Sequence, residues 1–185
     1  FVGVIAPDKQ PHVLLDAWAR LQADSATRCA VVFVGATNPE LYELGDRLID
    51  TLRATVDRLG LSAGARFVEP TSSIEHYFRA ADMLVLPSIR EGCPNVVLEA
   101  MACGLPVVAS RLPGATDAII QDGVNGLLAD VGDAEGFARA IGILLRDRPF
   151  AARVGLAARR TIEDRYSIED VAEQWLAIYE SVARP

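Results

Sequence analysis

The sequence predicts a doubly wound α/β domain, a parallel sheet of about six strands flanked by helices, with a helical C-terminal tail. Three observations carry this. Short β-rich runs alternate with helical patterns over most of the chain. The strand candidates are continuous Val, Ile and Leu rather than alternating apolar and polar, as when helices cover both faces of a sheet. From Asp133 onward the pattern is helical only.

Phe1–Ile5 reads as the first strand, followed by a helix over His12–Ala23. Cys29–Val34 is the second strand, and Leu41–Leu59 a long helix after it. Ala65–Val68 and Met83–Leu86 are further strands, separated by a helix at Ile74–Ala80. A helix at Asn95–Cys103 leads to a strand at Pro106–Ala109, with Gly104 placed to close the helix in a left-handed conformation. Ala115–Ile120 is a short helix. Asp122-Gly123 and Asn125-Gly126 are turn signals around a weaker strand, Gly126–Leu128. Helices over Ala134–Arg146, Phe150–Tyr166 and Ser167–Ala183 complete the chain. Ser167 with Asp170 resembles an N-cap pair, Asp replacing the usual Glu.

At 185 residues the chain is large enough for one domain that buries roughly 70% of its unfolded surface. A net charge of −7 argues against nucleic acid, which calls for a basic face. The basic residues are 17 arginines and a single lysine, Lys9. Cys29 and Cys103 lie in apolar runs and read as small core residues; Cys93 lies in a loop, and none has metal-ligand spacing. No run reaches the 18 or so apolar residues of a membrane helix. The chain opens at Phe1, without Met, inside a predicted strand, and so reads as a piece of a longer protein.

Glu91 and Glu99 bracket the most unusual stretch. The helix from Asn95 reads as apolar on every face except at Glu99, which predicts burial. A buried carboxylate needs a polar partner, because a charge taken out of water loses most of its solvation. Glu91 precedes it in a loop where Gly92 and Pro94 turn backbone N–H groups toward the helix start. Two acids and a helix N-terminus suit a ligand rich in hydroxyls and phosphates. A core glutamate met by a neighbouring arginine or a backbone donor is the plainer alternative. In a doubly wound sheet, ligands bind beyond the carboxyl ends of the strands. The connections at that edge hold Lys9, Asn38, Ser88, Glu91, Gly92, Arg111 and Gly114, which favours the ligand reading.

Other chemistries lack support. Neither Gly-x-Gly-x-x-Gly nor Gly-x4-Gly-Lys-Ser/Thr occurs, and no two aspartates stand two apart to cradle a metal–diphosphate complex. His12 and His76 have no partner at ligand spacing and read as helix-surface residues. Nothing resembles a nucleophile with its base.

The run Ser88-Ile89-Arg90-Glu91-Gly92-Cys93-Pro94-Asn95-Val96-Val97-Leu98-Glu99-Ala100-Met101-Ala102-Cys103-Gly104-Leu105-Pro106-Val107-Val108 resembles the Glu-x7-Glu signature of family 4 retaining glycosyltransferases. Val2-Gly3 with Lys9, Val34-Gly35, Ala81-Asp82, Gly114 with Asp117, and Asp122-Gly123 with Asn125-Gly126-Leu127-Leu128 stand in that family's order. The likeness runs from residue 1 to about residue 170. It implies the GT-B architecture, two facing Rossmann-like halves with the active site between them, of which this chain would be the C-terminal, donor-binding half. The N-terminal half would be a partner of the chain, bringing a sugar or lipid-linked acceptor. Without it this piece would be inactive, and a last helix carrying Trp175 and Tyr179 would leave an apolar patch through which the isolated piece would self-associate.

The resemblance also implies roles. Glu99 would grip the ribose hydroxyls of a nucleotide-diphosphate sugar. Glu91 would contact the transferred sugar, and Lys9 the diphosphate. Gly3, Val68, Arg90, Gly92, Cys93, Pro94, Asn95 and Val96 would complete the donor site, Val68 beside the base. Val4 stands where the family often has Arg, and Arg90 or Arg111 would have to compensate. No metal or other cofactor is expected, since Lys9 and the helix N-terminus would stabilise the departing diphosphate. The implied setting is cytoplasmic, whether or not the whole enzyme attaches peripherally to the inner face of a membrane. Two rival readings keep the fold: a nucleotide-sugar epimerase, and a non-catalytic binding or interaction module, toward which Val4 points slightly.

Overall fold

The computed structural model describes residues 1–23, 29–35 and 45–183. Within these, the element order is α1 (Pro11–Gln22), β1 (Val31–Val34), α2 (Gly45–Arg58), β2 (Ala65–Val68), α3 (Ile74–Ala80), β3 (Leu84–Leu86), α4 (Asn95–Ala102), β4 (Val107–Ser110), α5 (Thr116–Ile119), β5 (Leu127–Ala129), α6 (Ala134–Arg146), α7 (Arg148–Arg165) and α8 (Ile168–Ala183). All strand pairing is parallel: β1 with β2, and β3–β4–β5 in that order. The predicted α/β class, parallel strands flanked by helices, is therefore the observed one, but the described strands number five and form a two-stranded and a three-stranded sheet in place of one sheet of about six. Asn38 and residues 41–44 of the predicted second helix lie outside the described residues.

The predicted strand at Phe1–Ile5 is a correction. Only Val2 bridges to β1, through Val34 N–H to the Phe1 carbonyl and Gly3 N–H to the Val34 carbonyl, both at 2.9 Å. Beyond Gly3 the chain leaves the sheet for a 3-10 turn at Pro7–Lys9. Gly35 passes so close to Gly3 that any Cβ there would run into the Gly3 carbonyl.

Two apolar clusters cover the two faces, and side chains alternate between them along a strand. Val85 of β3 and Val108 of β4 join the cluster built with α1, α2 and α6. Leu84, Leu86, Val107 and Ala109 join the other, with Phe78 of α3, Val97 and Met101 of α4, and Ala158 of α7. Every residue of β3 and β4 is buried, which is why those runs carry no polar residue before Ser110. β1 departs from this expectation, since its Val32 is 37% exposed. Gly155 lets α7 approach the Gly104 backbone at the end of α4.

Helix ends follow local chemistry. Asp133 and Asp147 cap α6 and α7 by accepting the Gly136 and Phe150 amides at 2.9 and 2.8 Å. Ser167 accepts the Asp170 amide at 3.1 Å and donates to its carboxylate at 2.7 Å, as the sequence predicts. Gly104 takes φ 72°, the expected left-handed turn. No described helix is long and apolar enough to cross a membrane.

Candidate functional site

Two loops at the carboxyl edge build the site. The first runs from Val4 through the 3-10 turn, where Pro7 sets the backbone and the Lys9 amide donates to the Ala6 carbonyl at 3.1 Å. Gln10, the one non-glycine with positive φ among the described residues (44°), then turns the chain into α1. The second loop runs from Pro87 to Pro94, between β3 and α4. The Ile89 amide donates to the Asp8 carbonyl at 2.8 Å and holds the two loops together.

Across this junction Lys9 Nζ donates to Glu91 Oε1 at 2.7 Å. The buried Ser88 hydroxyl donates to the same oxygen, also at 2.7 Å. The Lys9 and Glu91 side chains are 24% and 10% exposed, so water screens the pair only partly. Residues 82 positions apart in sequence thus meet where the sequence places them.

α4 begins beside Glu91, with Pro94 as N-cap and the Val97 and Leu98 amides donating to its carbonyl at 2.8 and 3.3 Å. The Val96 amide belongs to the first turn and has no intrahelical acceptor. Gly92 and Cys93 are exposed before it. Here the predicted burial of the whole helix is corrected. Val97, Ala100 and Met101 face the core, but Asn95, Glu99 and Ala102, spaced i, i+4 and i+7, form an exposed stripe. Glu99 is exposed and ion-pairs with no group among the described residues, and its exposure excludes the core-glutamate alternative. Its Cα lies one turn along the helix from that of Asn95, about 6 Å in axial rise.

The remaining predicted residues divide clearly. Arg90 is exposed and unpaired among the described residues, beside Glu91. Gly3 lies at the start of the first loop with φ 143°. The Val68 carbonyl accepts the Gly35 amide at 3.0 Å, so the carboxyl end of β2 reaches the same edge. Arg111 is engaged by Asp122 at 2.6 Å and lines a groove with Arg139. Asn125 proves structural: its amide donates to the Ile119 carbonyl and to Thr161 at 3.1 and 2.9 Å, pinning α7. Cys29 and Cys103 are half-buried rather than core residues, and Cys93 is exposed. His12 and His76 lie on helix surfaces, as expected.

Sequence reasoning missed the Asp8–Ile89 contact, which involves backbone alone and leaves no residue-type signal. It also missed Gln10, whose left-handed turn ordinarily falls to glycine or asparagine. Among the described residues, no cluster of three or more His, Cys, Asp or Glu is arranged to hold a metal. A cavity of about 400 Å³ opens at the opposite edge, at the amino ends of β1 and β3. Phe1, Leu14, Trp18 and Met83 give it a largely apolar lining, with Asp82 and Arg148 paired with each other at its rim.

Residues 1–147 match the family model described as "Glycosyl transferases group 1". The chain belongs to that family. Among relatives of this group 1 glycosyltransferase chain, the lipopolysaccharide core biosynthesis glycosyltransferase LpsE of Rhizobium meliloti is 35% identical over 97% of this chain and 48% of that protein. The D-inositol 3-phosphate glycosyltransferase of Geodermatophilus obscurus is 36% identical over 99% of this chain and 40% of that protein. The chain thus spans about half the length, or less, of these relatives. Anabaena Alr3699/HepE, solved in complex with UDP-glucose, superposes with a TM-score of 0.85 at 26% identity, over 97% of this chain and 48% of that one. The C-terminal domain of the group 1 protein LpcC from Francisella tularensis has the same fold, with a TM-score of 0.76 at 23% identity over 91% of this chain and 84% of that domain.

Proposed function

We propose that this chain binds a nucleotide-diphosphate sugar at the Lys9–Glu91 junction and the start of α4. With an acceptor-binding half elsewhere in a longer GT-B protein, it would transfer the sugar with retention of configuration. The observation that carries the reading is the pairing of Lys9 with Glu91, beside a helix N-terminus and an exposed, unpaired Glu99. Nothing in the packing requires all three. Lys9 and the α4 amides offer positive potential to a diphosphate. Glu99, one turn on, offers a carboxylate to two vicinal ribose hydroxyls, and Glu91 Oε2 one to a sugar hydroxyl. The likeness to HepE, which binds UDP-glucose, supports the ligand class.

Charge develops on the departing diphosphate as the glycosidic bond breaks. A cation and preorganised amides aimed at that position stabilise the transition state more than the ground state, and so lower the barrier. No metal is invoked; Lys9 and the helix supply the positive charge. Calorimetric titration with UDP-, GDP- and ADP-sugars tests the reading: one of them should bind with micromolar to millimolar affinity. Absence of binding to the whole panel would defeat it. Transfer assays on the full-length protein test the chemistry, and donor binding without transfer would favour a binding module instead.

A further inference from the structure

We infer that Glu91 makes the site prefer an intact sugar donor over the spent nucleoside diphosphate, by holding Lys9 until a sugar hydroxyl replaces it. The inference rests on the donor-site reading above. Glu91 Oε1 already accepts from two donors, Lys9 Nζ and Ser88 Oγ, each at 2.7 Å. Its Oε2 accepts from no group among the described residues. The side chain is only 10% exposed, so water replaces a lost partner poorly. Lys9 is the only lysine of the chain and, among the described residues, the one cation paired with Glu91; Arg111 is held by Asp122, and the neighbouring Arg90 is exposed without an ion pair among the described residues.

A diphosphate approaching Lys9 therefore meets a cation that is already paired and an enclosed carboxylate of its own sign. Turning Lys9 to the phosphates leaves Glu91 with Ser88 alone, next to a second anion. A nucleoside diphosphate brings nothing to that carboxylate, whereas the sugar of an intact donor brings hydroxyls that donate to it. The cost of breaking the ion pair is offset for the donor and not for the product. After transfer, re-formation of the Lys9–Glu91 pair competes with the product and favours its release.

The test is a double-mutant cycle read by calorimetry, using the UDP, GDP or ADP pair that the wild type binds, each with and without its sugar. Glu91→Gln should raise affinity for the nucleoside diphosphate by about two- to fivefold and narrow the preference for the sugar donor. In a Lys9→Ala background the same change should raise that affinity by clearly less than it does in the wild type, since only the like-charge contribution remains. Ser88→Ala, a milder change, should shift it in the same direction by less. An unchanged or weaker affinity in Glu91→Gln would overturn the inference. So would a gain that persists undiminished without Lys9, because it would then be simple charge repulsion. Wild-type binding with no coupling in the cycle defeats this inference alone; a wild type that binds none of the probes defeats the donor-site reading and this inference with it.

Discussion

The Ile89 amide and the Asp8 carbonyl meet at 2.8 Å, and this backbone bond sets the geometry of the site. Lys9 follows Asp8 directly and Glu91 follows Ile89 by two residues, so the bond between them brings the two side chains within reach. Because it is made by backbone groups, it tolerates side-chain changes in either loop. Substitutions at Lys9 or Glu91 should therefore leave this loop junction in place, although Lys9→Ala also strips the enclosed Glu91 carboxylate of its cation.

Glu99 sits exposed on α4 without an ion-pair partner among the described residues. Glu99→Gln should weaken nucleotide-sugar binding by about 1.5–3 kcal/mol, the range for a hydrogen bond to a charged group. The melting temperature should stay unchanged. Calorimetry and thermal melting check both, and unchanged affinity would remove Glu99 from the site.

Lys9→Ala should weaken diphosphate-containing ligands by about 1.5–3 kcal/mol while leaving a free nucleoside nearly unaffected. Titrating uridine beside UDP separates the two cases. Equal losses would make Lys9 a structural residue only.

The three cysteines offer a footprint. Burial pushes the Cys29 thiol above its ordinary pKa, partly opposed by hydrogen bonds from Gln22 and Trp18. Cys93 is exposed in the site loop. With iodoacetamide near pH 7.5, Cys93 should react about tenfold faster than Cys29, since the thiolate is the nucleophile. A bound donor should protect Cys93 and leave Cys29 unchanged, as mass spectrometry would record.

Gly35→Ala should destabilise the chain by about 1–3 kcal/mol, because the new methyl group must displace the Gly3 backbone. Chemical denaturation measures this directly. A neutral outcome would mean that the first loop moves freely against β1.

Much of the fold was legible because local and global signals agree. β2, α3 and α6 coincide with their predicted bounds, each delimited by turn or capping residues. The first strand failed because only one residue of an apolar run finds a bridging partner, and apolar character alone does not supply one. Helix α4 was misjudged for a related reason. Its apolar composition predicts burial on every side, yet it lies at the carboxyl edge of the sheet with one stripe open. That opening is also why Glu99 needs no protein partner. Lys9, Glu91 and Ser88 could be placed on one edge from the alternation of elements, but their contact could not. Side chains 82 residues apart meet only through loop geometry.

The most direct test is a crystal structure of the chain soaked with UDP-glucose, or with whichever donor binds in solution. The diphosphate should lie within hydrogen-bond distance of Lys9 and the first amides of α4, with ribose hydroxyls on Glu99 and sugar hydroxyls on Glu91. A ligand seated instead in the apolar cavity beside Phe1 and Trp18, with the Lys9–Glu91 pair untouched, would contradict the account.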